Sequence, residues 1–218
     1  MAIKSLCRSL AFLRRCYEQH FFPWFNDRLG RFAAIEELRA VELKEVRGRV
    51  LEIGFGTGLN LLHYPPAVQS LVAVEPNTGM LKRAASRLAV APMPVDIFCG
   101  SAATVPFPKG SFDWAVSFLT LCSVDDPQRI LAELRRLLGD GGRLVVVEHG
   151  LSEEPRIARW QRRLNPLEVA LAGGCHLDRP VFQLVESQGF CFERVRSFYL
   201  PGAPRTHGWF TVGSARKS

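Results

Sequence analysis

The chain has 218 residues, 47% of them hydrophobic, and a formal net charge of +7, enough apolar material for one full α/β domain and too little length for two large ones. Six cysteines form no C-x-x-C pair and no metal spacing with the five histidines, which supports neither a disulfide scaffold nor a zinc site and fits reduced cytosolic thiols. No run reaches the roughly 18 apolar residues of a membrane span, and the basic excess lies outside residues 50–149 with no basic run or nucleic-acid motif beside it, so nucleic acid is not an expected partner.

In chain order, residues 3–20 can form a helix with Leu6, Leu10, Leu13 and Tyr17 on one face. Arg8, Arg14 and Arg15 interrupt its apolar patches, and no small-residue cleavage site follows, which argues against a signal peptide. His20-Phe-Phe-Pro-Trp-Phe25 is a dense aromatic cluster that Pro23 is expected to break into an elbow. Residues 1–30 are therefore expected to pack over the domain as a lid helix and aromatic elbow, with a patch able to make peripheral contact with a membrane surface. Residues 30–46, rich in Ala, Leu and Glu, read as a second helix leading into the first strand.

Val50 to Asn60 reads V-L-E-I-G-F-G-T-G-L-N, an apolar strand ending in three alternating glycines, after which a helix is expected to begin. Glycine at 54, 56 and 58 permits positive φ and lets the backbone approach a ligand closely. The dinucleotide fingerprint G-x-G-x-x-G would need glycine at position 59, where Leu59 stands. Glu75 closes a second apolar run, Leu71 to Glu75, at about the separation where Rossmann folds keep an acid for ribose hydroxyls. A right-handed βαβ unit is expected by residue 75. Asn77 is an N-cap for a helix carrying Met80, Leu81, Ala84, Ala85 and Leu88 inward.

Val95 to Cys99 is a short third strand delivering Ser101 and Ala102 to the glycine rim, and Trp114 to Leu119 is the fourth. Cys122, just beyond, reads as a small packed thiol. Asp126-Pro127 starts a helix with Ile130, Leu134, Leu137 and Leu138 as its buried stripe. Arg143 to Glu148 is valine-rich, as a central strand covered on both faces must be. Residues 150–177 interrupt the alternation and read as a substrate-cover insertion. Asp178 to Ser187 is the last helix, capped by Asp178, and Phe190 to Tyr199 and His207 to Ala215 are two closing strands.

The pattern E-x-G-x-G-x-G at Glu52 to Gly58, with Glu75 and the strand endings, resembles the class I S-adenosylmethionine (SAM) methyltransferases over residues 45–215. Tyr64-Pro-Pro66, Leu121-Cys-Ser-Val124, Glu148-His149, Trp160-Gln161 and Gly174-Cys175 look like the animal thiol S-methyltransferases, a group near the ubiquinone/menaquinone methyltransferases. That resemblance implies an α/β, doubly wound, seven-stranded, mostly parallel sheet with an antiparallel last strand, occupying residues 31–218. It implies SAM as cofactor, held by Glu52, Gly54, Phe55, Gly56, Thr57, Gly58, Asn60, Glu75, Pro76, Met80, Ser101, Ala102 and Leu119. Ser101 stands where the family often keeps an Asp for the adenine amino group. The implied partner is a small apolar methyl acceptor, a thiol, quinol or lipid-like molecule; the cysteine usage, not the resemblance, leads to the expectation of a cytoplasmic protein, with peripheral membrane contact through residues 1–30.

Methyl transfer is an in-line displacement in which positioning dominates, and a thiol acceptor reacts as thiolate. His149, at the carboxyl end of a central strand, is the first candidate base, ahead of His20 and His176. No metal is expected. Two rivals remain at this level: a nicotinamide dehydrogenase, disfavoured by Leu59 and the two-strand ending, and a SAM-binding sensor without chemistry, to which Ser101 lends some support.

Overall fold

The computed structural model of the protein describes residues 12–218; the part of the expected first helix before residue 12 lies outside them. Seven strands form one sheet in the order β3-β2-β1-β4-β5-β7-β6: β1 (Gly48–Ile53), β2 (Val68–Val74), β3 (Val95–Phe98), β4 (Phe112–Phe118), β5 (Leu138–His149), β6 (Phe190–Tyr199) and β7 (Trp209–Lys217). β7 runs antiparallel between β5 and β6, and the pairings among β1 to β5 are parallel. The expected sheet, including its reversed last strand, is the one observed.

Burial on both faces explains the valine-rich strands. On one face, Val50, Leu71, Val116, Val145 and Val212 pack under α2 (Ala33–Glu42) and α3 (Thr78–Leu88). On the other, Leu51, Ile53, Val72, Val146 and Ala215 pack under α4 (Pro127–Leu137) and α6 (Val181–Ser187). Successive residues of one strand point to opposite faces, so a parallel strand covered twice must be apolar throughout. In α4 the buried stripe is Ile130, Leu131, Leu134 and Leu137, each worth about 1.5–3 kcal/mol of burial. The helix starts where Asp126 accepts the Arg129 N–H, with Pro127 in its first turn.

Three expectations are corrected. The helix expected after the glycine turn is a single 3-10 turn, Leu61–His63. Pro65 holds Tyr64 extended at ψ 131°, which leaves too few residues for an α-helix, so no α-helix crosses from β1 to β2. Pro23 does not break the N-terminal segment. Helix continues from residue 12 through a π-helical turn, Tyr17–Phe21, into α1 (Phe22–Gly30). The wider turn just before Pro23 accommodates a residue that lacks an N–H and crowds the preceding turn. The last helix begins at Val181 with Pro180 as its N-cap residue, so Asp178 does not cap it.

α5 (Pro155–Leu171) forms most of the segment between β5 and α6. No helix among the described residues is long and apolar enough to cross a membrane.

Candidate active site

Parallel pairing brings the carboxyl ends of the central strands to one rim: Ile53 pairs with Val74, Val74 with Phe98, Ile53 with Ser117, and Phe118 with Val147. Open α/β sheets bind ligands outside such a rim. Gly54, Gly56 and Gly58 all have positive φ there, for different reasons. A Cβ on Gly54 would collide with Thr120, whose own Cβ is 2.8 Å away. One on Gly56, at φ +59°, would meet nothing among the described residues closer than the Gly54 carbonyl at 3.7 Å. Gly54 is therefore required by packing, whereas Gly56 borders open space in which a ligand can lie against bare backbone.

Beside that space, Glu75 accepts the Gly56 N–H and the Asn77 N–H, each at 2.8 Å, one on each carboxylate oxygen. Burial pushes its pKa up, and the two N–H groups oppose that rise. Each oxygen keeps a lone pair for a hydroxyl donor. Asn77 caps α3 by accepting from Gly79 and Met80. Ser101 is exposed and spends its hydroxyl capping a 3-10 turn through the Ala103 N–H, while Ala102 is buried. Leu119 follows β4 at φ +54°, a conformation that costs about 1–2 kcal/mol outside glycine.

Other residues of the expected cofactor set lie beneath or beside the turn. The Glu52 carboxylate is buried and accepts from Asn60 Nδ2 at 2.8 Å and Tyr64 OH at 2.7 Å, while Arg39 Nε donates to Asn60 Oδ1. Burial pushes the Glu52 pKa up to about 7, against the pull of Tyr64, Asn60 and Arg39. Phe55 packs into the core under Gly58, and Met80 is buried. Thr57 donates to Asp27 Oδ1 at 2.7 Å. Glu52 and Asn60 thus brace the loop from below through side chains whose polar atoms are already engaged, and Pro76 is exposed next to Glu75.

The N-terminal helix is fastened to both sides of the rim. Asp27 also pairs with Arg87 and Arg31. Asn77 Nδ2 donates to the Glu18 carbonyl and Thr78 to Gln19 Oε1, and a Cβ on Gly79 would strike Gln19. At the other side Tyr17 donates to the Leu171 carbonyl, and Phe22 covers Gly173. Sequence reasoning missed Asp27, whose one signal is an acid set in an aromatic helix.

Further along the rim, beyond Thr120, Glu148 is fully buried and accepts from Ser117 Oγ and from the N–H groups of Thr120, Leu121 and Cys122. Burial, with the neighbouring Cys122, raises its pKa to about 8 against those donors. Arg179 donates to the carbonyls of Leu121 and Val124. The fold then does what residue spacing did not suggest. It brings Cys122, His149 and Cys175 together with their donor atoms within 4.8 Å of one another and His149 Nε2 2.9 Å from Cys175 Sγ. Hydrogen bonding from Cys175, with His149 close by, pulls the Cys122 thiol well below its ordinary range. Burial resists charge on His149, but Cys122 outweighs it and raises the imidazole pKa. His149 Nδ1 is buried with no hydrogen-bond partner among the described residues. His20 is exposed and outside this cluster, and His176 contacts Asn165. The described cysteines 16, 99, 122, 175 and 191 are free.

A Rossmann-like sheet ending in a reversed strand, a glycine turn open at Gly56 and an acid after β2 define a class I SAM-dependent methyltransferase, and the residues at the turn fit that cofactor. The family model described as "Methyltransferase domain" matches residues 51–146. The chain is 30% identical to thiol S-methyltransferase TMT1B of Rattus norvegicus, over 79% of its length and 72% of the relative's. It is 31% identical to thiol S-methyltransferase TMT1A of Homo sapiens, over 82% and 80%. A solved SAM-dependent methyltransferase from Thermotoga maritima superposes with a TM-score of 0.60 at 25% identity, covering 97% of each chain. The chain belongs to this methyltransferase family.

Proposed function

We propose that the enzyme methylates the sulfur of a small, apolar thiol. What carries this reading is the likeness, across most of the chain, to two enzymes named for thiol S-methylation. The geometry adds a cluster at the rim, beside Thr120, where a thiol could lose its proton. SAM supplies an electrophilic methyl on a sulfonium, which a deprotonated thiol accepts as the electron pair returns to the sulfonium sulfur, leaving a thioether and S-adenosylhomocysteine.

The chain's own residues divide the work. Gly54, Gly56 and Gly58 shape the bend that receives the amino-acid end of the cofactor, and Glu75 takes ribose hydroxyls on its free lone pairs. Pro76, Ser101, Ala102 and Leu119 border the nucleotide, with backbone at 101–102 in place of an adenine-reading acid. Glu52, Phe55, Thr57, Asn60 and Met80 hold that surface in shape. His149 is the side chain through which the acceptor loses its proton. Residues 1–30 serve as the lid and 150–177 as the acceptor cover, a division supported by the Tyr17 bond to Leu171. Exposed Phe21, Trp24 and Phe25 give the lid an apolar outer side suited to a membrane surface from which such an acceptor is drawn.

Incubation with SAM and separate panels of alkyl thiols, quinol analogues and phospholipids, followed by mass spectrometry, tests the proposal. Thioethers and S-adenosylhomocysteine should form with the thiols; turnover confined to quinols or lipids would refute it.

A further inference from the structure

We propose that Cys122, His149 and Cys175 form a zinc site with three protein ligands, whose fourth position takes the acceptor's sulfur. The proposal rests on the thiol reading above for the identity of that fourth ligand, and on the geometry alone for the metal.

The three donors come from separate parts of the rim: the loop after β4, the last residue of β5 and the turn after α5. Zinc–sulfur bonds of about 2.3 Å and zinc–nitrogen bonds of about 2.0 Å set ligand atoms of a tetrahedron roughly 3.5–3.8 Å apart. Here all three lie within 4.8 Å of one another, with the closest pair at 2.9 Å, so shifts of about an ångström would complete the geometry. Two cysteines and one histidine with an open position are a ligand set of catalytic rather than structural zinc.

The carriers of these donors are held before any metal arrives. The backbone around Cys122 hangs from the Glu148 carboxylate through three N–H groups and from Arg179 through two carbonyls. The His176 N–H donates to the Cys122 carbonyl at 2.8 Å, joining the Cys175 turn to the Cys122 loop. Asn165 Oδ1 accepts from the Leu177 N–H at 2.8 Å. Ligands fixed by outer hydrogen bonds are how proteins set metal geometry and affinity. Cys122 and Cys175 are 2% and 8% exposed. Two thiolates and a neutral imidazole cancel the charge of Zn2+, which makes the ion tolerable at that depth.

In function, a thiol that enters the fourth position loses its S–H proton to solvent on binding, because a metal-bound thiol is deprotonated. Its sulfur then presents a lone pair toward the methyl while still held. His149 then aids the acceptor's loss of its proton by holding the metal through Nε2, and serves as the base itself only in the metal-free protein.

The full-length protein is purified from zinc-supplemented cells with a phosphine reductant and without chelator, and its metal content is measured. About one zinc per chain is expected, with C122S, H149A and C175S each weakening zinc affinity at least 10-fold, while C99S and C191S leave it unchanged. As misfolding could mimic that loss, cobalt is substituted into the unmutated protein. A thiolate-to-cobalt charge-transfer band and tetrahedral d–d bands should appear, and butanethiol, but not butanol, should shift them. Absence of zinc and of the charge-transfer band under reducing conditions overturns the site, as does a Cys122–Cys175 disulfide in freshly isolated protein. If chelated, zinc-free protein methylates thiols at the unchanged rate, the metal assignment falls and the thiol reading stands. If cobalt binds and no thiol is methylated or shifts the spectrum, the thiol reading falls and the three-ligand site stands without its fourth partner.

Discussion

Substituting alanine at Gly56 and at Gly54 separates binding from packing within one turn. At Gly56 the new methyl meets, among the described residues, only the Gly54 carbonyl at 3.7 Å, so the cost to folding is conformational. A non-glycine residue at φ +59° loses about 1–2 kcal/mol, and the stiffer unfolded chain returns about 0.4–1 kcal/mol. The net is about 1 kcal/mol, a fall in Tm of about 2–4 °C for a chain of this size. The methyl stands, however, where the cofactor should lie against backbone, and SAM affinity should fall about 100-fold, equivalent to about 2.7 kcal/mol. G54A should behave in the opposite way: its Cβ is driven into Thr120, a buried side chain that donates to the Ile53 carbonyl at 3.1 Å, and it should lose about 3 kcal/mol or more of stability. Titration calorimetry with SAM and S-adenosylhomocysteine, set beside thermal melts of the unliganded proteins, reads both quantities. If G56A bound SAM within about twofold of the unsubstituted protein, or melted as low as G54A, the reasoning about this turn would be wrong.

Three further outcomes are expected. Glu52 titrates near 7 when folded against 4.5 ordinarily; the folded state therefore binds the proton more tightly, and the stability this gives is complete below 4.5 and is lost as pH rises through 7. E52Q should gain about 2–3 kcal/mol relative to the unsubstituted protein between pH 5 and pH 8, and urea unfolding at the two pH values that showed parallel changes would contradict this. D27A strips partners from Thr57 and Arg87 and should cost about 1–3 kcal/mol, raise amide exchange across residues 17–30 and weaken SAM binding; unchanged exchange there would mean the clip does not hold the segment. The F21S/W24S double variant should bind anionic lipid vesicles about 10-fold more weakly in sedimentation, and equal sedimentation would remove the membrane contact.

The strands were legible because burial on both faces leaves a parallel strand no polar alternation, as in Leu71–Val74 and Val145–Val147. Caps at Asn77 and Asp126 were legible because their chemistry is local. Errors arose where a neighbour decides. Nothing in the local pattern of Leu59 to His63 says that Pro65 will hold Tyr64 extended and leave only a 3-10 turn. Pro23 reads as a break until the π turn before it is seen. Glu52 looks like a ligand-facing acid because strand position gives the rim, but not which side of the turn a side chain occupies. Spacing also gave no sign of the Cys122, His149 and Cys175 cluster, whose members are far apart along the chain. Only the adjacency of β4 and β5, with a turn folded back over both, makes them neighbours.

The helix carrying Tyr17, Phe22 and Asp27 touches the glycine-turn side of the rim through Thr57, Asn77 and Thr78 and the opposite side through Leu171 and Gly173. Because one continuous helix spans both sides, neither can be unlatched without disturbing the other. Sequence drift along it should move the Michaelis constants for donor and acceptor in step, and a chain that retunes its choice of acceptor by altering residues 17–30 must readjust its hold on the donor as well.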